Sequence, residues 1–360
     1  MGSIYKNAIG ISVFGESHGP GIGGVLDGFP SGLKVDMEHV LWLMNRRKPG
    51  KNKLSTSRKE SDVPEILSGI FEGYTTGAPI SFIIRNNNTK SKDYSSLKHT
   101  PRPSHGDYTG YKKYKGFGDY RGGGHFSGRL TAPIVFMGAL CEELLMEKGI
   151  YIVSKIDSIG DFKDDDITDF DIESIRKFRN QEIQIKSQKV ESDVRNLIET
   201  CRVKGDSVGG SIKSYILGVK AGIGNPMFDT IEGNLAKLLF AVPGVKAVEF
   251  GLGTEYRFAH GSQVNDEYYL DGEEVKTYSN YNGGILGGIT TGMAIEHKVT
   301  IKPTPSIFKE QRTVDLEKME NTSQKIEGRH DPCIVPRAVP VIESISAISL
   351  VDILLEAGEL

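Results

Sequence analysis

Three tight clusters of glycine set the terms on which this chain can fold. Gly19 to Gly24, Gly122 to Gly128 and Gly283 to Gly288 stand beside strand-like or histidine- and arginine-bearing segments rather than in a linker. Glycine lets a backbone turn sharply or come close to another group. The 43 glycines among 360 residues are about 12% of the chain, against a typical ~7%. A net charge of -3 with 38% hydrophobic and 25% charged residues describes a globular chain and argues against a general nucleic-acid binder. The cysteines Cys141, Cys201 and Cys333 are odd in number and never spaced as C-x-x-C, which predicts neither a disulfide framework nor a zinc site. Met1 to Gly10 lacks a signal-peptide core, and Ala347 to Leu355 is short and broken by Asp352, so no membrane association is expected and the cytoplasm is the expected location.

Periodicity predicts a mixed fold. Ile4–Phe14, Glu65–Phe71, Ile80–Arg85, Ser207–Val219 and Val245–Phe250 are expected as strands, with two more in Thr290–Ile301. Asp36 is expected to cap a helix whose apolar face is Met37, Val40, Leu41 and Met44. Further helices are expected over Leu130–Lys148, Glu191–Lys204, Thr230–Phe240 and Pro340–Glu356. Asn86–Phe126 has little periodicity, and Asp157–Glu173, with eight acids, is expected as a solvated surface segment. Without regular βαβ alternation the expected class is α+β, and no domain boundary is visible within residues 1–360.

Gly19-Pro20-Gly21-Ile22-Gly23-Gly24 satisfies G-x-G-x-x-G, but Val25 to Pro30 continue it as a strand and turn where a dinucleotide fold needs a helix. Gly50-Lys51-Asn52 fails as a P-loop. Arg46 to Lys59 carries seven Lys or Arg and no acid, which suits either a solvated helix end or an anion pocket. Lys98 to Arg129 adds seven more against Asp107 and Asp119, with His99, His105 and His125 interleaved. Guanidinium forks match phosphate and carboxylate oxygens, which favours the pocket. Tyr108, Tyr111, Tyr114 and Tyr120 keep a nucleic-acid surface open as the rival.

His18 lies in a glycine-flanked turn after Ser17, a setting shared by many structural histidines. His105 sits in Pro101-Arg102-Pro103-Ser104-His105, a stiff loop. An imidazole titrating near ~6.5 matches a departing phosphate with a second ionisation near ~6. Gly122 to Arg129 precedes a helix and suits an anion. Lys302-Pro303-Thr304-Pro305-Ser306 and Gly328-Arg329-His330-Asp331 are further rigid polar loops. No ligand spacing for a metal occurs.

Taken together, GESHGPGIGGVLDGFP (15–30), GHFSGRLTAPIVFMGAL (124–140) and GRHDPCIVPRAVPVIES (328–344) resemble chorismate synthases, and shorter matches such as RPSHGDYTG (102–110) and KPTPSI (302–307) fall in order between them. The resemblance implies a β-α-β sandwich with long helices between antiparallel sheets, and a homotetramer. It implies a 1,4-elimination of phosphate from 5-enolpyruvylshikimate 3-phosphate to give chorismate, with reduced FMN required and no net redox change. Carried over residue by residue, His18 with Ser17 would serve the reduced flavin, His105 the leaving phosphate, and Asp331 the flavin near nitrogen 5. Arg47, Arg58, Arg102, Arg129 and Arg329 would cradle the substrate. His125, Phe126, Ser127, Gly287, Lys302, Pro303, Thr304, Pro305, Ser306 and Arg329 would contact the flavin. Lys48 and Lys53 stand where some relatives carry Arg, while His125, Phe126 and Pro305 depart from the usual flavin contacts. The long insertions of relatives that reduce flavin with NADPH are missing, so a monofunctional enzyme is expected.

Overall fold

The computed structural model describes residues 2–50, 62–86, 98–326 and 330–360. Two five-stranded antiparallel sheets frame it. One runs in the order Ile4–Lys6, Gly10–Gly15, Gly21–Asp27, Ile80–Arg85, Pro64–Ser68. The other runs Val245–Phe250, Ile295–Ile301, Gly210–Leu217, Tyr151–Ile159, Phe162–Lys163. The expected single strand over 4–14 is two, because Asn7 to Ile9 turn back into a hairpin.

Helices Thr131–Glu147 and Val335–Glu356 pack on each other. The first also touches strand Gly21–Asp27, and the second touches strands Tyr151–Ile159 and Gly210–Leu217. Both are apolar around nearly their whole circumference, as helices wrapped by protein must be. Val335–Glu356 is long and apolar enough to cross a membrane, yet it is buried inside this core. Its two buried carboxylates are satisfied there: Asp352 accepts from Ile9 N (2.8 Å) and Asn7 Nδ2 (2.9 Å), and Glu343 from Ser154 N (3.0 Å), Arg46 and Arg179. The helices cross where Gly138 faces Ser344, and a Cβ on Gly138 would lie 2.2 Å from Ser344 Cβ.

Three expectations need correction. Helix Val335–Glu356 begins before Pro340, since Pro336 fits the first turn and the helix tolerates Pro340 in its interior. The Asn86–Phe126 region contains a helix, Asp107–Lys113, where polar composition hid a short element. Asp157–Glu173 is not simply solvated. Asp157 and Asp164 are buried, and Asp164 faces the buried Lys155 at 3.3 Å while accepting from Lys186 N (2.8 Å) and Ser187 N (2.9 Å). Burial lowers the Lys155 pKa, and Asp164 opposes that shift.

Candidate active site

Helix Met37–Arg47 starts at Asp36, whose carboxylate accepts from Glu38 N (2.9 Å) and His39 N (3.1 Å). It delivers Arg47 at its last turn, 2% exposed, into a buried cluster. Asp62 accepts from Arg47 NH2 at 2.7 Å and from Arg129 NH1, while Arg129 Nε donates to Asn86 Oδ1 at 3.2 Å. Burial opposes ionisation of Asp62, but the two guanidiniums outweigh it and hold its pKa below the usual range. The expected cradle residues Arg47 and Arg129 therefore share one buried counter-ion that nothing in the spacing announced.

Gly122, Gly123 and Gly124 all adopt positive φ (60°, 85° and 52°), a run open to glycine at little cost. Short 3₁₀ turns then lead to Thr131, where the long helix begins, so this helix starts one turn behind the glycines rather than on them. Two imidazoles flank the run. A Cβ on Gly122 would lie 2.2 Å from His18 Cε1 and Nδ1, and one on Gly123 would lie 3.0 Å from His105 Cε1. Ser17 N donates to Gly124 O at 3.1 Å, and Ser17 Oγ is a buried hydroxyl without a hydrogen-bond partner among the described residues.

The His105 loop is braced from several sides. Ser104 takes a positive φ of 60°. Lys302 Nζ donates to Ser104 O at 2.5 Å, and Arg102 NH1 donates to Ser306 Oγ at 3.1 Å, so the two rigid loops are stapled together. The hairpin Glu310–Asp315/Glu320–Lys325 supports the same loop, with Thr313 Oγ1 and Gln324 Nε2 donating to Pro101 O at 2.6 and 3.0 Å. His105 Nδ1 lies 2.6 Å from Asp107 Oδ1. Burial raises the Asp107 pKa, but hydrogen bonds from Arg102 and His105 prevail and keep it far below the usual carboxylate range.

A cavity of about 420 Å³ opens among these segments, within the size range of small-molecule sites. Its walls include Arg47, Arg102, Arg129 and Lys302, and His105, Phe126, Ser127, the 302–306 loop, His330 and Asp331 also line it. Val242, Ile334, Ala338 and Val341 supply an apolar face. Asp331 is paired with Arg337 NH1, and Arg337 Nε donates to Arg47 O at 3.1 Å. Burial, with Arg102 adding to it, pushes the His330 pKa down to about 4, so this ring is neutral near pH 7.

His105 and Asp331 thus share one hollow, and His18 lies against the glycine wall rather than on the lining. Gly287 is in the hairpin of Ile285–Leu286 and Ile289–Thr290 and does not line the cavity. Neither does His125, whose Nδ1 donates to Gly15 O (2.8 Å) and whose Nε2 is 2.7 Å from Ser3 Oγ. Arg58, Arg329 and Lys53 lie outside the described residues. Asp62, Asp107 and Arg337 were missed by sequence reasoning. Only Asp107 left a signal, two residues from His105; Asp62 and Arg337 reach the site through chain folding.

A cationic cavity bearing a histidine–carboxylate pair is the equipment of an enzyme acting on a small, multiply anionic molecule. The chorismate synthase family model matches residues 9–355. Curated relatives called chorismate synthase include that of Methanothermobacter thermautotrophicus, 43% identical over 99% of this chain and 96% of its own length. The one from Pyrococcus abyssi is 46% identical over 96% of each. A crystal structure of a chorismate synthase matches with a TM-score of 0.74 and 29% identity, covering 98% of this chain and 93% of that one. The chain belongs to the chorismate synthase family, a family of lyases.

Proposed function

We propose that this protein converts 5-enolpyruvylshikimate 3-phosphate to chorismate and phosphate by 1,4-elimination, with reduced FMN required and no net redox change. The observation that carries the reading is the meeting of His105, Asp331 and three buried arginines around one cavity. The residues present suit a flavin. Thr304 Oγ1 and His330 Nε2 are buried polar atoms on the lining, without hydrogen-bond partners among the described residues, and the apolar face suits a flat ring.

Arg47, Arg102 and Arg129, joined by Arg58 and Arg329, hold the substrate's phosphate and carboxylates. His105 Nε2 gives a proton to the departing phosphate oxygen. His18, with Ser17 next to it, would hold a proton beside the cofactor, and Asp331, ion-paired with Arg337, would place its carboxylate near the same ring. Phe126, Ser127 and Lys302 to Ser306 orient the cofactor. Reduced FMN, when bound, supplies the electron-rich partner that the weakly acidic carbon 6 hydrogen demands. The same proposal includes the β-α-β sandwich for the two sheets and their helices, one functional domain over 1–360, a homotetramer, independence from NADPH and cytoplasmic residence. The three free thiols favour a reducing compartment.

The purified protein should release phosphate and form chorismate only anaerobically with reduced FMN present. Turnover in flavin-free protein would refute the cofactor requirement. His105→Ala should lower turnover by ~10²–10⁴-fold, and an unchanged rate across the pH range would remove His105 from the acid role. A nucleic-acid role predicts retention of RNA or DNA on filters at ~150 mM salt; no retention is expected.

A further inference from the structure

Asp107 stands at the meeting point of His105 and Arg102. Its Oδ1 is 2.6 Å from His105 Nδ1, and Arg102 grips the same carboxylate through Nε at 2.7 Å and NH2 at 2.8 Å. The Arg102 backbone N–H adds a fourth contact at 3.0 Å. Asp107 is 10% exposed, so these bonds are shielded from water. Arg102 NH2 also approaches His105 Nδ1 at 3.1 Å. A guanidinium only donates and an ionised carboxylate only accepts, so Nδ1 cannot satisfy both with its single site. The shorter contact decides: Nδ1–H donates to Asp107, and Arg102 NH2 gives its hydrogen to Oδ1. Nε2 is then left as the working nitrogen, on the side of Gly123, whose Cβ would come within 3.2 Å of it.

Resting on the function proposed above, we propose that Asp107 is a positioning residue that keeps the proton of neutral His105 on Nδ1 and aims Nε2 into the cavity. The imidazolium then releases its Nε2 proton to the phosphate oxygen as the carbon 3–oxygen bond breaks. That bond's electron pair stays on the oxygen, and neutral His105 remains with Nδ1–H still bound to Asp107. Arg102 has a second task in this arrangement, because its fork fixes the carboxylate that fixes the ring. The other charged or titratable groups around His105 are Lys302 on the stapled loop and His330 and Asp331 on the same lining.

The test combines a double-mutant cycle with a spectrum. Asp107→Asn should lower kcat ~10²-fold, because the ring loses the partner that orients it. Added to His105→Ala, it should cost less than about twofold more. Asp107→Glu, which keeps the charge, should recover part of the loss. ¹⁵N signals of His105 at alkaline pH should report Nδ1–H in the native protein and a mixed or Nε2–H form in Asp107→Asn. Additive losses in the cycle, no recovery in Asp107→Glu, or a native ring protonated at Nε2 would each overturn the proposal. His105→Ala with native turnover would instead sink the acid role itself, and the spectrum would still decide the tautomer.

Discussion

Gly122 carries the tightest constraint at the scale of single residues. Its φ of +60° is one that side chains rarely adopt, and a Cβ there would sit 2.2 Å from two atoms of the His18 ring. Gly122→Ala must therefore push His18 aside or shift the loop that also abuts His105. A displacement near 1 Å at a reacting group costs about 10²-fold. Turnover with reduced FMN should fall by that order while the circular dichroism spectrum stays native, and an unchanged rate would show that the His18 position is not used. The glycine cluster was legible in the sequence, but its purpose was not. An anion site on backbone amides was the expectation, whereas the structure uses the missing side chains to let two imidazoles close on the backbone. Asp107 shows the converse, since it had been counted only as a charge within a basic stretch.

Elements defined by local rules were read well. The Asp36 cap and the spacing of Val40 and Met44 produce helix Met37–Arg47, although Leu41, expected on its apolar face, is exposed and Leu43 is buried in its place; strands Ile80–Arg85 and Val245–Phe250 fall where alternation placed them. Asp157–Glu173 was misread because acid content says nothing about burial: Lys155, two residues before Asp157 on the same strand, draws Asp164 inward. Helix packing was equally hidden. At Gly138 the two long helices approach so closely that an added methyl would lie 2.2 Å from Ser344 Cβ and 2.5 Å from its Cα. Gly138→Ala improves helix propensity by up to ~1 kcal/mol but must separate the helices, and overpacking typically costs about 1–3 kcal/mol. A net loss of stability in urea unfolding is expected, and a gain would mean that the helices yield without cost.

Over the whole molecule, stability should depend on pH through groups that no site uses. His297, in the middle of the second sheet, is 1% exposed, and its Nε2 lies 3.0 Å from Ser346 Oγ on the C-terminal helix. Since Ser346 Oγ donates to Ile342 O, it accepts from His297, which fixes a neutral Nε2–H ring. Burial pushes the His297 pKa down to about 4. Its unfolded value is near ~6.5, so the unfolded chain binds the extra proton first as pH falls. Stability from this group is full above pH ~6.5 and drains away toward pH 4. Glu143 runs the other way: burial raises its pKa to about 8, so its contribution declines as pH rises from ~4.5. The two trends mask each other in the native protein, and comparison with a variant separates them. The stability difference between native protein and His297→Gln should be roughly 2 kcal/mol larger at pH 7 than at pH 5. A difference independent of pH would mean that the imidazole is not held neutral.

The sequence by itself determined the class of fold, most strands and helices, the family, and which loops carry cations and imidazoles. Those properties follow from periodicity, caps and breakers, which act over a few residues, and from motifs that persist in order along the chain. Tertiary structure alone decided that Asp62 pairs with both Arg47 and Arg129, that Arg337 pairs with Asp331, and that His125 turns inward to Ser3 and Gly15. A charge buried away from water must find a counter-ion, and which counter-ion lies within reach depends on how distant segments pack rather than on their spacing in the chain.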